Sequence, residues 1–226
     1  FSTPGRTEVG GNHTDHNHGR VLAAGVNLDG VAAAAKSGNS VITVYSKGYG
    51  DAFVVDTNDL EIREQEKETT LALIRGIAAR FKELGYNIGG FNAYISSDVL
   101  GGSGLSSSAC IEVLLGTILN YLYNDGQIDV KLLAMIGQYA ENVYFGKPSG
   151  LMDQMACAVG GFVTMDFQDP EKPLVRKIDF DFESQNYSLL VVDTGGSHSD
   201  LTADYASIPD EMKAVARVLG AQVCRE

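Results

Sequence analysis

The stretch "GGSGLSSSAC", residues 101 to 110, places three glycines and four serines between two apolar segments. The preceding "FNAYISSDV" alternates like a half-buried strand, and the following "IEVLLGTILNYLY" has the pattern of a buried helix. A flexible linker would have polar neighbours, so a strand, turn and helix unit is favoured. Backbone N–H groups and the helix dipole make such a junction an anion site. The stretch therefore predicts a phosphate-binding loop; a glycine-rich turn with serine N-caps is the alternative.

The rest of the chain predicts an α+β fold without a regular alternation of strands and helices. Turn residues separate the apolar segments, and no internal repeat is present. The predicted strands, besides the one before the loop, are "FSTPGRTEV", "VNLDGVAAAAK", "VITVYSK", "AFVVDT", "GFVTMDF", "PLVRKIDF" and "YSLLVVDT". The predicted helices, besides the one after the loop, are "EKETTLALIRGIAARFKELGY", "DVKLLAMIGQYAENVYFG" with Asp129 as its cap, "LMDQMACAV" and "DEMKAVARVLG".

Composition narrows the possible partners. The 226 residues carry a formal net charge of −12, which argues against a nucleic-acid surface because phosphate backbones require clustered Lys and Arg. No uninterrupted apolar segment is long enough for a bilayer of about 30 Å. Three widely spaced cysteines predict free thiols and a cytoplasmic location. The sequence does not define the oligomeric state and is compatible with a monomer. Because the chain starts at Phe1 and stops in a helical pattern, we expect it to be part of a longer protein.

Two further stretches carry residues suited to chemistry. "PGRTEVGGNHTDHNHG", residues 4 to 19, is dense in polar side chains, and "GKPSGLMDQMACAVGG", residues 146 to 161, holds Asp153 in apolar surroundings. A carboxylate in such surroundings needs a partner or has a functional role. Zinc binding by His13, His16 and His18 with Asp15 is one possibility, but the spacing matches no closed zinc site. Contacts with the hydroxyls of a sugar are favoured instead.

Taken together and in this order, the three stretches resemble the motifs of the GHMP small-molecule kinases, and within that family the galactokinases. They stand here as "GRTEVGGNHTDH", "LGGSGLSSSA" and "GKPSGLMDQ". The resemblance covers almost the whole chain. It implies a two-domain fold with the active site in the cleft. Residues 1–160 would form the N-terminal kinase domain, ribosomal-protein-like with a left-handed βαβ unit, and residues 161–226 the start of an incomplete C-terminal domain.

The resemblance also implies roles for individual residues. Asp153 is expected to be the catalytic carboxylate beside the anomeric hydroxyl, and Arg6 to keep it ionised. Expected sugar contacts are Asn12, His13, Asp15, Gly150 and Tyr205. Expected nucleotide contacts are Gly101, Gly102, Ser103, Gly104, Leu105, Ser106, Ser107 and Ser108. Mg²⁺ is expected on Ser108, with Ser107 the less favoured serine, and on Glu141.

The implied reaction is ATP-dependent phosphorylation of the anomeric hydroxyl of galactose. Asn12 stands where the family has a glutamate, Glu8 where it has an asparagine, and His16 where it has a tyrosine. These differences leave open a related sugar: N-acetylgalactosamine, arabinose or a uronic acid. A non-catalytic sugar sensor also remains open, although the intact loop and Asp153 argue against it. At single positions, the alternatives are a surface salt bridge for Arg6, a solvated charge for Glu141 and ring packing for Tyr205.

Overall fold

A computed structural model describes residues 1–11, 14–192 and 202–226, with the side chains of 202–206 left out. The fold is built on one mixed sheet of seven strands in the order β4-β3-β5-β2-β6-β7, with β1 paired to β2. Only the β3–β5 pair is parallel among these strands. The strands are β1 (Ser2–Gly10), β2 (Arg20–Lys36), β3 (Val41–Ser46), β4 (Phe53–Asp56), β5 (Phe91–Ser97), β6 (Phe162–Asp166) and β7 (Leu174–Ile178). The observed mixture of sheet and helices confirms the α+β prediction.

The helices are α1 (Thr70–Glu83), α2 (Ser107–Tyr123), α3 (Val130–Tyr139), α4 (Met152–Val159) and α5 (Thr202–Val218). Helix α3 continues directly into a π-helical segment, Ala140–Phe145, and short 3-10 turns lie at Asp15–Asn17, Glu64–Glu66 and Glu183–Gln185. Asp129 caps α3 as predicted, because its Oδ1 accepts a 2.7 Å hydrogen bond from Lys131 N. No helix in the described parts of the chain is long and apolar enough to cross a membrane.

The main core lies between one face of the sheet and helices α1 to α3. The alternating sequence of strand β5 determines which of its side chains enter this core. Phe91, Ala93 and Ile95 are buried, whereas Asn92 and Tyr94 face outward. Helices α1 and α2 pack onto that face, and α2 is buried on most of its circumference because α1, α3 and α4 also contact it. A second cluster, built from α4, β2 and β6, lies beside it. The phosphate-loop segment is thereby fixed at both ends, by β5 and by α2.

One predicted strand is wrong. Residues 187–192 of "YSLLVVDT" have no regular structure, and the last two residues of that segment lie outside the described chain. Leu190 is 80% exposed and Val192 76% exposed. A strand needs a neighbour for its N–H and C=O groups, and no described strand pairs with this segment, so β propensity alone does not form one.

The described residues include all three cysteines and the predicted domain boundary. All three cysteines are free thiols, as predicted, and burial raises the pKa of Cys110 to about 11. Strand β6 pairs with β2, and β7 pairs with β6, so residues on both sides of position 160 share one sheet. The division of the chain at residues 160 and 161 stays a prediction.

Two helical glycines make contrasting demands on packing. A Cβ added to Gly76 of α1 would lie 2.9 Å from Ala140 Cβ and from Tyr144 Cγ, inside the π-helical segment. We expect Gly76→Ala to lower the free energy of unfolding by about 1–3 kcal/mol, because the two helices cannot approach as closely. Denaturant unfolding of the full-length protein measures this difference.

Gly116 of α2 provides the matched control, because a Cβ there would meet Leu133 Cδ2 at 3.5 Å, an ordinary contact. Gly116→Ala is expected to be neutral or to stabilise by up to about 1 kcal/mol through helix propensity. Equal effects of the two substitutions would contradict the packing account.

Candidate active site

An ion pair between Arg6 of β1 and Asp153 of α4 lies at the centre of the site. Arg6 Nε donates to Asp153 Oδ1 at 2.7 Å, and Arg6 Nη2 donates to Oδ2 at 2.8 Å. Burial opposes the charge of Arg6, but the adjacent carboxylate of Asp153 raises the pKa of Arg6 above its ordinary value. The bidentate geometry fixes the orientation of the carboxylate. Because Arg6 is only 7% exposed, a surface salt bridge does not describe it.

The predicted phosphate loop is attached to this ion pair. Arg6 Nη1 donates to Gly104 O at 2.8 Å, and Arg6 N donates to Leu105 O at 3.1 Å. Ser106 has a left-handed backbone, uncommon outside glycine, and its hydroxyl donates to Asp153 Oδ2 at 2.7 Å. The loop is therefore bonded to the carboxylate directly through Ser106 and indirectly through Arg6.

The loop runs from the end of β5 to the start of α2 and is exposed at its tip. Gly102 and Gly104 have positive φ angles of 72° and 76°, which glycine adopts without strain. Ser106, the N-cap residue, makes no side-chain cap to α2 because its hydroxyl points to Asp153. The alternative of simple serine capping is therefore wrong for Ser106. The positive end of the α2 dipole faces the loop, an arrangement that suits an anion.

Glu141 lies at the start of the π-helical segment and is only 2% exposed. Its Oε1 accepts hydrogen bonds from Ser108 Oγ at 2.9 Å and from Lys147 Nζ at 3.1 Å. Its Oε2 accepts from Ser149 Oγ at 2.6 Å and from Gln154 Nε2 at 2.8 Å. A solvated helix charge is therefore the wrong interpretation of Glu141. The structure brings it together with Ser108, the serine favoured from sequence.

This pair of oxygens fits a hard divalent cation. A carboxylate and a hydroxyl are ligand types that Mg²⁺ accepts, usually with further oxygens from water and phosphate. Burial opposes the charge of Lys147, yet the negative charge of Glu141 raises the pKa of Lys147. A positive charge is thus already favoured next to Glu141 Oε1.

Asp15, in the first polar stretch, reaches the start of α4. Its Oδ2 accepts from Met152 N at 3.1 Å, and its Oδ1 accepts from His16 N at 3.0 Å. Although burial opposes ionisation, the hydrogen bonds from His16 and Met152 hold the pKa of Asp15 below its ordinary value. Gly150 permits this approach, because any Cβ at that position would overlap the Asp15 carboxylate. Asp15 and Gly150, both predicted sugar contacts, therefore lie beside each other.

The side chains of three other predicted sugar contacts lie outside the described part of the chain. Asn12 and His13 lie outside the described residues, and Tyr205 falls within α5 but its side chain is not described. His16, which follows Asp15, has its Nε2 3.3 Å from Met212 Sδ of α5. Helix α5 therefore packs against the turn that carries Asp15.

Sequence reasoning missed four of the contacts around the two carboxylates. These are the bond from Ser106 to Asp153 and those from Lys147, Ser149 and Gln154 to Glu141. Gln154 follows Asp153 within the third motif, so the motif could have pointed to it as a site residue. Nothing in the sequence pairs Lys147 with Glu141 of the π-helical segment.

Comparison with known proteins agrees with this geometry. The family model described as the GHMP kinases N terminal domain matches residues 72–161, and the galactokinase galactose-binding signature matches residues 1–36. The chain is 32% identical to a galactokinase of Streptomyces coelicolor, over all of this chain and 58% of that protein. It is 37% identical to a galactokinase of Lactobacillus helveticus, over 71% of this chain and 42% of that protein. The chain thus spans about half the length of these relatives.

Solved structures show the same fold. The crystal structure of Lactococcus lactis galactokinase complexed with galactose superposes with a TM-score of 0.79 at 24% identity, covering 97% of this chain and 56% of that one. The mevalonate kinase of Methanococcus jannaschii gives 0.66 at 18% identity, covering 94% of this chain and 68% of that one.

The two matched regions contain the site described above. Arg6 and Asp15 lie within the galactose-binding signature, and the loop, Glu141 and Asp153 lie within the kinase domain. This chain therefore belongs to the GHMP kinase family, and its first 36 residues carry the galactokinase galactose-binding signature.

Proposed function

We propose that the full-length protein is a galactokinase, which transfers the γ-phosphoryl group of ATP to the anomeric hydroxyl of galactose. The position of the Asp153 carboxylate is the observation that carries this proposal. The carboxylate accepts a hydrogen bond from Ser106 of the phosphate loop. The residue before Asp153 in the chain is Met152, and its N–H donates to Asp15 of the sugar motif. A carboxylate between a phosphate loop and a sugar site can act where the two substrates meet.

In the proposed mechanism, Asp153 orients the anomeric hydroxyl and accepts its proton as the oxygen bonds to the γ-phosphorus of ATP. The bond between that phosphorus and the bridging oxygen breaks, and ADP leaves. Arg6 compensates the carboxylate charge before the reaction and stabilises the charge that develops on the reacting oxygens. Phosphoryl transfer requires little covalent chemistry from the protein, so positioning and electrostatics supply most of the rate.

The nucleotide is proposed to bind along the loop. Backbone N–H groups of residues 101–108 and the start of α2 would hold its phosphates. Ser108 and Glu141 would hold Mg²⁺, which neutralises phosphate charge when it is bound. Lys147 adds a second cation at the same carboxylate, 3.1 Å from Glu141 Oε1.

The sugar is proposed to bind against Asp15 and Gly150, with Asn12, His13 and Tyr205 completing its contacts. An ionised Asp15 can accept from two neighbouring hydroxyls and so reject an epimer that lacks one of them. Asn12 in place of the family's glutamate favours a second candidate, a kinase for a related sugar such as N-acetylgalactosamine, arabinose or a uronic acid. A non-catalytic sensor is disfavoured because the loop, Arg6 and Asp153 are connected as a working site requires.

The choice of sugar is tested by ADP release from the full-length protein with each candidate sugar at equal concentration. We expect the highest kcat/KM for galactose, because the signature that contains Asp15 is that of galactose binding. A higher kcat/KM for another sugar would instead support the second candidate, a kinase for that related sugar. Absence of turnover with every sugar, despite galactose binding, would support the sensor.

Replacement of Asp153 by asparagine tests the catalytic assignment. Asp153→Asn keeps the shape of the side chain and removes its basicity, so kcat is expected to fall by about 10²–10⁴-fold while galactose affinity changes little. Steady-state kinetics and calorimetric galactose binding measure the two effects.

Asp29→Asn is the control for that substitution. Asp29 of β2 also accepts a serine hydroxyl, from Ser2 at 2.6 Å, but it lies outside the site. Its replacement is expected to leave kcat unchanged, and undiminished turnover in Asp153→Asn would refute the role of Asp153.

A further inference from the structure

A second buried carboxylate lies behind Glu141 and has no part in the proposed mechanism. Glu112 is located on α2, one helical turn after Ser108, and is 0% exposed. Gln154, also 0% exposed, donates from Nε2 to Glu112 Oε2 at 2.9 Å and to Glu141 Oε2 at 2.8 Å. One amide group therefore bridges two carboxylates. Burial of a carboxylate in an apolar helix is costly, which calls for a compensating role.

The surroundings of the bridge act on the ionisation of Glu112. Glu112 Oε1 and Gln154 Oε1 are both buried and have no hydrogen-bond partner among the described residues. Burial, and then the negative charge of Glu141, raise the pKa of Glu112 well above its ordinary value. Both effects disfavour the charged form of Glu112.

The surrounding backbone leaves little room for another arrangement. A Cβ added to Gly137 of α3 would lie 3.1 Å from Glu112 Cβ, 3.2 Å from Glu112 Oε2 and 3.3 Å from Gln154 Cγ. The α3 backbone thus closes directly over the bridge. Because both amide hydrogens of Gln154 already have acceptors, rotation of this amide would break two hydrogen bonds in a buried site.

We propose that Glu112 is a positioning residue for Glu141. It fixes the amide of Gln154, which in turn holds Glu141 Oε2, so that Glu141 Oε1 faces Ser108 in the geometry that binds Mg²⁺ with the nucleotide. The inference rests on the proposed function, because it concerns the metal site of that reaction. Partners of metal-binding carboxylates commonly affect metal affinity by about 10–100-fold.

Two substitutions separate hydrogen bonding from volume. Glu112→Gln retains an acceptor for Gln154 Nε2 and adds N–H donors, whereas Glu112→Leu fills similar space and removes both. The readout is calorimetric binding of a non-hydrolysable ATP analogue to the full-length protein, with and without Mg²⁺. The ratio of the two affinities reports the metal site, and Ser108→Ala provides the reference for loss of a metal ligand.

We expect Glu112→Gln to retain the Mg²⁺-dependent gain in affinity within about twofold, and Glu112→Leu to lose about tenfold of it. Affinity without Mg²⁺ is expected to stay unchanged in both variants. Gln154→Met breaks the same bridge from α4 and is expected to show the same loss, so the test does not depend on one variant folding.

An unchanged Mg²⁺-dependent gain in Glu112→Leu and Gln154→Met would overturn the inference. A loss that appears equally without Mg²⁺ would also overturn it, because that result indicates a merely structural role. If wild-type protein shows no Mg²⁺-dependent gain and Ser108→Ala has no effect, the proposed function itself fails. If wild-type protein shows the Mg²⁺-dependent gain and only Ser108→Ala reduces it, the proposed metal site stands and the inference about Glu112 fails.

Discussion

The guanidinium group of Arg6 makes the interaction on which the rest of the site depends. It donates twice to Asp153, which is 147 residues away in the chain, and once to the carbonyl oxygen of Gly104. Strand β1, the phosphate loop and helix α4 are thereby joined at one buried charge. A buried ion is tolerated only when its partners are complete, so the position of each of these elements constrains the other two.

The second constraint is charge. Under the proposed function, a chain with a net charge of −12 binds an anionic nucleotide through local features. The start of α2 supplies a helix dipole, and Arg6 and Lys147 supply cations beside Asp153 and Glu141. Each of the two carboxylates is thus paired with a cation. Local pairing keeps both carboxylates usable in a chain whose overall field repels phosphate.

Most secondary structure up to residue 178 could be predicted from periodicity and turn residues, because apolar alternation and helical spacing are local signals. The motifs, through their resemblance to a known family, also suggested candidate roles for Arg6 with Asp153 and for Ser108 with Glu141, and each pair is in contact. The Glu112–Gln154 bridge could not be predicted, since it exists only when α2, α3 and α4 are packed together. The failed strand at residues 187–192 has the opposite cause: its local propensity is strong, but no described strand pairs with it.

In the proposed mechanism, the reaction takes place beside the carboxylate of Asp153. A crystal structure of the full-length protein with galactose, Mg²⁺ and a non-hydrolysable ATP analogue tests it most directly. We expect the anomeric oxygen of galactose to lie about 2.6–3.2 Å from an Asp153 carboxylate oxygen, with Arg6 still paired to that carboxylate. A sugar bound with a different hydroxyl against Asp153, or a γ-phosphate directed away from it, would refute this role of Asp153.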